Sequence, residues 1–412
     1  MQRGWVCVLG VGLLLLGYFL GGSAGPGAVE FPDPNEARDA AQMERAVAEA
    51  LAEPRAFPRA SRLIRLMEGI NAENVEGAVR AVSARVAGGD PVDLQLVLTA
   101  WVHLDPHTAI DHVRGWPMRL HREIGIRTVI REWAASGGRI AAAAYFETVT
   151  DSDVRAIAAG PLVRGWALAG DNRGALELAH RLWHGEGQRD VVSGLMRGVL
   201  HASDTSGALA LARSTDPNRR GQFERQLARD TLRLVGRENP VAAAAFYSEL
   251  EDAAQSDWLA GSLAPLAGSW RNRDPQATLE WLLTRQEDSE RLDALTKTIA
   301  TWGRQDLEEA WAWFEARFGG ASAEQDLSTL ESTLLAGLLR SMARTHPSDA
   351  ARWVGRIRAG EDRSALFIRV SYFWSIEDGE AALDWIETLE IPEELRARML
   401  QAAERSRQDT RG

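Results

Sequence analysis

The chain has 412 residues, 45% of them hydrophobic and 25% charged, with a formal net charge of −11. That balance belongs to a folded protein and excludes a disordered chain. The negative surplus also sets the surface against general binding of DNA or RNA, because a phosphate backbone would be repelled. Lys297 is the single lysine, so positive charge is carried almost wholly by arginine.

Arg3 and the amino group precede an uncharged apolar run over residues 4–22, closed by Gly22-Ser23-Ala24-Gly25-Pro26. Such a run is just long enough to span a bilayer core. The small residues up to Ala24 also fit a secretory signal cut after that position. Residues 1–24 are therefore expected to be a signal anchor or a signal peptide. Trp5 near one end and Tyr18 and Phe19 near the other match an interfacial aromatic belt and favour the anchor. Gly17 and Gly21 have the GxxxG spacing of paired membrane helices. Either reading places the rest of the chain outside the cytoplasm, tethered in the cell envelope or secreted. Cys7 is the single cysteine and lies inside the run, so the exported part needs no disulfide. Residues 25–36, rich in Gly and Pro, read as a spacer. Residues 37–412 read as one helical-repeat domain, with a helical pattern over 36–53 capping its first copy.

A unit then recurs roughly every 34 residues. It is an aromatic residue, a small polar joint four residues on, and a small anchor four residues after that. The copies are Trp101–Asp105–Ala109, Trp133–Gly137–Ala141, Trp166–Asp171–Ala175, Asp204–Ala208, Asn239–Ala243, Trp270–Asp274–Thr278, Trp302–Asp306–Ala310, His346–Ala350 and Trp374–Asp378–Ala382. Asn74 and Ala78 form a degenerate earlier copy. Later copies add a second tryptophan three residues after the anchor, at Trp281, Trp313, Trp353 and Trp385. Each copy reads as two helices. Leu292, Leu295, Ile299 and Trp302 form one apolar face, residues 303–305 interrupt it, and Asp306 caps a second helix with Glu308 and Glu309 in its first turn. Asp105-Pro106 and Asp274-Pro275 repeat the arrangement, since proline at the first helical position loses no hydrogen bond. The anchor is small so that the two helices approach closely, and the indoles wedge neighbouring pairs apart as core. The predicted fold is all-α: a superhelical solenoid of about ten antiparallel helix pairs, preceded by the N-terminal apolar helix.

The stretch Trp166-Ala-Leu-Ala-Gly-Asp-Asn-Arg-Gly-Ala-Leu-Glu-Leu-Ala resembles the tetratricopeptide repeat in length, in the bulky residue ending the first helix, in Gly-Asp at the turn and in Ala four residues later. The early Trp and Leu-Gly of that family and its closing Pro are mostly absent, which leaves HEAT-like pairs open as an alternative. The resemblance implies a right-handed superhelix whose first helices line a concave groove, and a role in binding proteins or peptides.

Arg225, Arg229, Arg233 and Arg237 recur at intervals of four and stack along one helix face. Arg219 and Arg220 precede them, and Arg119, Arg122, Arg127 and Arg131 decorate an earlier first helix. The resemblance puts Arg127, Arg225 and Arg229 in the groove, with Arg131 and Arg233 beside them as candidates for an acidic peptide. Glu224 and Asp230 are the groups that would instead neutralise the stripe. His180 and His184 have a zinc-ligand spacing, but Arg181 stands where a metalloprotease needs Glu, and they read as surface residues. His103, His107 and His112 read as cap and surface residues. No nucleophile elbow, phosphate loop or dinucleotide fingerprint occurs, so neither enzymatic activity nor a metal or cofactor is expected. The expected function is a scaffold or adaptor for protein partners in the cell envelope, with a membrane contact through the N-terminal helix and no nucleic acid. An envelope enzyme acting on cell-wall glycan is the alternative.

Overall fold

A computed structural model describes residues 32–34, 36–85, 91–183, 188–215, 221–252, 259, 261–318 and 327–409. The apolar run with Cys7, Gly17 and Gly21 lies outside them. Among the described residues no helix is long and apolar enough to cross a membrane. The described residues are helical throughout, without strands. The chain divides into two compact units, Met1–Asp230 and Thr231–Gly412.

The first unit holds α1 (Ala40–Ala52), α2 (Ala56–Glu68), α3 (Val75–Arg85), α4 (Pro91–Leu104), α5 (Pro106–Arg114), α6 (Arg119–Trp133), α7 (Arg139–Thr148), α8 (Ser152–Leu168), α9 (Asn172–Leu182) and α10 (Gln188–Arg213). The division falls inside α11 (Gln222–Glu238). The second unit continues with α12 (Pro240–Asp252), α13 (Leu263–Trp270), α14 (Pro275–Leu283), α15 (Ser289–Gln305), α16 (Leu307–Phe318), α17 (Thr329–Thr345), α18 (Pro347–Val354), α19 (Glu361–Glu377), α20 (Gly379–Thr388) and α21 (Glu393–Asp409). In the first unit α4, α6, α8 and α10 pack in succession, each on the next. In the second, α13, α15, α17, α19 and α21 do the same.

At Asp105, Asn239, Asp306, His346 and Asp378 one polar residue is the whole connection between two helices, and at Asp274 it follows three turn residues. Asp105, Asp274, Asp306, His346 and Asp378 hold φ between −152° and −143° and ψ between 64° and 98°. Each donates its N–H to the carbonyl four residues back, as Asp306 does to Trp302 at 2.7 Å and Asp378 to Trp374 at 2.7 Å. Each accepts at its own carbonyl from the anchor four residues on, as from Ala310 at 3.2 Å and Ala382 at 3.1 Å. The carboxylates then cap the next helix, Asp274 Oδ1 accepting from the Ala277 N–H at 2.8 Å. α15 accordingly runs unbroken to Gln305, and the interruption expected over residues 303–305 is a single residue, Asp306.

The anchors Ala109, Ala175, Ala208, Ala243, Thr278, Ala310, Ala350 and Ala382 are fully buried, as is Ala78 in the degenerate copy. The exception is Ala141, which is exposed; Ala142 takes its place at 0%. The cause is a π-helical turn over Ala134–Gly138 with Gly137 at φ 97°, which adds one residue to that joint. Trp101, Trp133, Trp166, Trp270 and Trp302 are buried, as expected of a core column. Trp374 and the second-column Trp281, Trp313, Trp353 and Trp385 are half-buried. The columns meet each other: Trp270–Trp281, Trp302–Trp313 and Trp374–Trp385 lie 6.0, 5.7 and 5.4 Å apart at interplanar angles of 44°, 52° and 47°. In the first unit His112 and Tyr145 hold the second-column position, 5.0 Å from Trp101 and 5.5 Å from Trp133. His112 thus packs on the indole column, and burial pushes its pKa down. His107 rests edge-on against Trp133 at 4.6 Å.

Two outcomes test this architecture. Ala142→Leu is expected to cost about 1–3 kcal/mol while Ala141→Leu stays within about 0.5 kcal/mol, and Trp302→Ala costs about 3–5 kcal/mol, all read by urea unfolding. The second concerns pH. The Trp166 indole N–H, then the Gly174 N–H, hold the Asp171 carboxyl below its ordinary 3.8, and the Thr108 and Ser206 hydroxyls do the same for Asp105 and Asp204. A carboxyl lowered in the folded state contributes stability that is present above pH 3.8 and lost as pH falls through the folded value. Asp171→Asn should flatten the acid limb of the unfolding profile below that pH.

Candidate functional site

The successive first helices of the first unit approach to backbone contact because glycines face them. A Cβ on Gly165 of α8 would sit 2.3 Å from the Arg131 carbonyl of α6. On Gly194 of α10 it would sit 2.3 Å from the Gly160 carbonyl of α8, and on Gly198 2.7 Å from the Arg164 carbonyl. No side chain fits between these helices along that line. Their outer edges form a groove of about 200 Å³, lined by Gln95 of α4, Arg127, Thr128 and Arg131 of α6, Gly160, Pro161 and Arg164 of α8, and Asp190, Ser193, Gly194 and Arg197 of α10.

Four guanidiniums and one carboxylate line this groove. Arg127 pairs with Asp190 at 3.1 Å, and Arg131 pairs with Glu132 on its own helix at 2.7 Å. Among the described residues Arg164 and Arg197 make no ion pair, and the buried Nε of Arg164 has no hydrogen-bond partner. Burial, then the nearby charges of Arg131 and Arg197, push the Arg164 pKa below the ordinary arginine value; Glu132 pulls the other way. Arginine remains ionised through such a shift. The site therefore holds concentrated, incompletely compensated positive charge, suited to bidentate recognition of anionic groups.

Of the residues predicted from sequence, Arg127 and Arg131 lie here together. Arg225, Arg229 and Arg233 on α11 are half-buried and each is engaged in interactions of its own; none of the three lines the groove. Glu224 and Asp230 on the same helix are buried. Arg219, Arg220 and His184 lie outside the described residues, and His180 stacks on Phe223 at 3.8 Å between ring centres. Arg164 and Arg197 were not apparent from helix periodicity. Their signal is the longer period: Arg131, Arg164 and Arg197 recur at intervals of 33 residues, each eleven before a buried anchor, Ala142, Ala175 and Ala208.

A larger cavity, about 500 Å³, lies between Asp111, Arg114, Arg119, Arg122, Glu123, Asp151 and Asp153. Four acids there face three arginines, Arg119 pairing with Glu123 at 2.8 Å, and Asp151 is spent capping α8. It lacks the surplus that distinguishes the arginine groove.

No family model matches this chain. No curated protein matches it in sequence. A crystal structure of Ton1535 from Thermococcus onnurineus NA1 is similar over 79% of this chain and 95% of that one, at 12% identity and a TM-score of 0.27.

Gly194→Ala forces α10 away from the Gly160 carbonyl and is expected to cost about 1–3 kcal/mol. Gly355→Ala, with nothing within 4 Å of the added carbon, should be neutral or slightly stabilising in the same urea titration.

Proposed function

We propose that this protein is an exported helical-repeat adaptor, held in the cell envelope by its N-terminal apolar run, that binds a partner protein along the first-helix groove of its first unit. Three features support the reading. The period of roughly 34 residues, with its one-residue joints, is that of a tetratricopeptide-like or similar solenoid of helix pairs, whose general use is to present an extended binding surface. The uncharged run over residues 4–22 supplies an export or anchoring segment. Above all, Arg131, Arg164 and Arg197 stand on three successive first helices with fewer acids than cations around them. Charge of one sign gathered over low-dielectric walls attracts ligands of the other sign and raises their rate of encounter. The net charge of −11 directs that attraction to a local acidic segment rather than to a long polyanion.

The test is co-purification from detergent-solubilised envelope with the full chain as bait. The wild type and Arg173→Glu, an exposed residue already paired with Glu177 on α9, are expected to retain the same stoichiometric partner. The double variant Arg164→Glu with Arg197→Glu is expected to lose it. A wild-type chain that returns no stable partner, or a double variant that keeps it, removes the basis of the reading.

A further inference from the structure

One edge of the first unit carries large apolar side chains that the fold leaves uncovered. Phe57, Val92 and Leu120 are each the second residue of a helix, of α2, α4 and α6, and Met118 lies just before the last of these. They are 59%, 52%, 63% and 49% exposed, in that order. α2 packs on α4 and α4 on α6. The three helices run in one direction. Arg59, fourth in α2, pairs with Asp93, third in α4, at 2.9 Å, and Gln95, fifth in α4, lines the same groove as Ile124, sixth in α6. The exposed side chains therefore form a ridge along the starts of three neighbouring helices, about 8–10 Å from each helix to the next. Apolar groups gathered in this way mark a contact surface, as singly scattered ones do not.

Arg55 and Arg119 border the ridge and are exposed. Among the described residues the acids within four positions of its side chains are Glu53, Asp93 and Glu123; each is half-buried or buried and each is ion-paired. Arg55 and Arg119 are each held by one carboxylate, which leaves some of the five donors of a guanidinium for a phosphate. The ridge stops at α8, whose start carries the exposed Asp151 and Asp153. An apolar edge bordered by arginine suits the headgroup boundary of a bilayer, where rings and alkyl groups meet acyl chains and guanidiniums meet phosphates.

The chain itself brings a bilayer within reach. The uncharged run over residues 4–22 is long enough to span one, and residues 23–31 separate it from the described residues. Those nine residues reach at most about 30 Å. The described chain starts beside the far end of α2, where a Cβ on Gly69 would sit 2.5 Å from the Pro34 carbonyl. With 13 residues, α2 is about 20 Å long. The tether is thus longer than the helix that separates its exit from Phe57, and it makes even a weak contact between ridge and bilayer an intramolecular one.

Resting on the reading that residues 4–22 anchor the chain, we propose that this edge is a second membrane contact. Phe57, Val92, Met118 and Leu120 enter the interfacial zone of the bilayer that holds the anchor, with Arg55 and Arg119 on lipid phosphates. The contact fixes which edge of the first unit faces the membrane.

The test uses the full chain in lipid nanodiscs, with a fluorophore on one cysteine and with or without lipid spin-labelled near its carbonyl groups as quencher. Cys7 labels the run. Phe57→Cys, Leu120→Cys and Arg173→Cys, each in a Cys7→Ser chain, label the ridge and an exposed control on α9. Probes at 57 and 120, seated about 5–10 Å into the boundary, are expected to lose at least about half their emission, and the probe at 173 none. Val92→Ser with Met118→Ser, both at exposed sites, is expected to bring the loss at 57 and 120 down to that at 173. Quenching at 7 with none at 57 and 120 overturns the proposal, leaves the anchor reading standing and assigns the ridge to a protein partner. Equal quenching at 57, 120 and 173 also overturns it, as does a double variant that quenches like the parent chains. Quenching at 57 and 120 with none at 7 supports the lipid contact and removes the anchor reading instead.

Discussion

The structure depends on a joint one residue long. In an ordinary helix ending, several carbonyls are left without partners, and in an ordinary beginning several N–H groups are too. Here one residue belongs to both helices at once. Asp306 gives its N–H to the Trp302 carbonyl and its own carbonyl to the Ala310 N–H, and its side chain satisfies the N–H of Glu309. A single φ,ψ pair then sets the angle between the two helices, and the narrow spread of that pair over five copies gives each of those joints the same local geometry. The residues four before and four after such a joint are brought face to face across the angle. That is why one is large and the other is alanine or threonine.

The indole pairs follow from this geometry. With Trp302 and Ala310 placed by the joint, the residue three beyond the anchor lies one turn along the second helix and meets the first indole from the side. The near-constant tilt of the three tryptophan pairs reflects that placement. The second indole remains half-exposed, and that of Trp313 donates its N–H to Glu280 of the preceding second helix at 2.8 Å, whereas the Trp281 N–H is buried without a hydrogen-bond partner. At Trp313 an indole suits the position better than a phenyl ring would, because it covers apolar surface and still satisfies its polar atom. Where the first column has Met342 instead, Trp353 turns to Trp311 at 5.0 Å.

The helices and their joints were legible in the sequence because a short-range rule writes them. Asp before Pro, an aromatic four residues back and alanine four residues on report hydrogen bonds made within nine residues. The rule fails where the joint changes length. Ala141 reads as the anchor only if Gly137 is the joint, and the π-helical turn moves the anchor to Ala142. The same slip hides Tyr145 as the counterpart of Trp281. The arginine site was half legible. Spacing by four along α11 draws attention to Arg225 and Arg229, yet such spacing reports only that side chains share a face of their own helix. Arg131, Arg164 and Arg197 meet through helix stacking, and the period that brings them together is that of the repeat. The N-terminal run was read from hydropathy alone, and the described residues begin after it.

The joints also account for why Arg131 and Arg164 reach the groove on α6 and α8. Eleven residues before the anchor stand Leu98, Ile299 and Leu339 in copies with the one-residue joint, and all three are fully buried. Arg131 and Arg164 hold that position in copies whose joints gain a residue, with Gly137 at φ 97° and Gly170 at φ 84°. One residue turns a helix by about 100°, which moves the position from the core to the edge of the groove. After Arg197 the joint residue is Asp204 at φ 61°, a conformation costing about 1–3 kcal/mol outside glycine. Glycines that bring the helices into contact, each about 1 kcal/mol poorer than alanine in a helix interior, add to that cost. Like charges that depress one another oppose folding as well. The strained joint at Asp204, the glycines between α6, α8 and α10, and Arg164 and Arg197, without ion pairs among the described residues, coincide here, and none of them stabilises the fold. Their coincidence fits the anionic partner proposed for this groove, which would supply the missing charge only when it is bound.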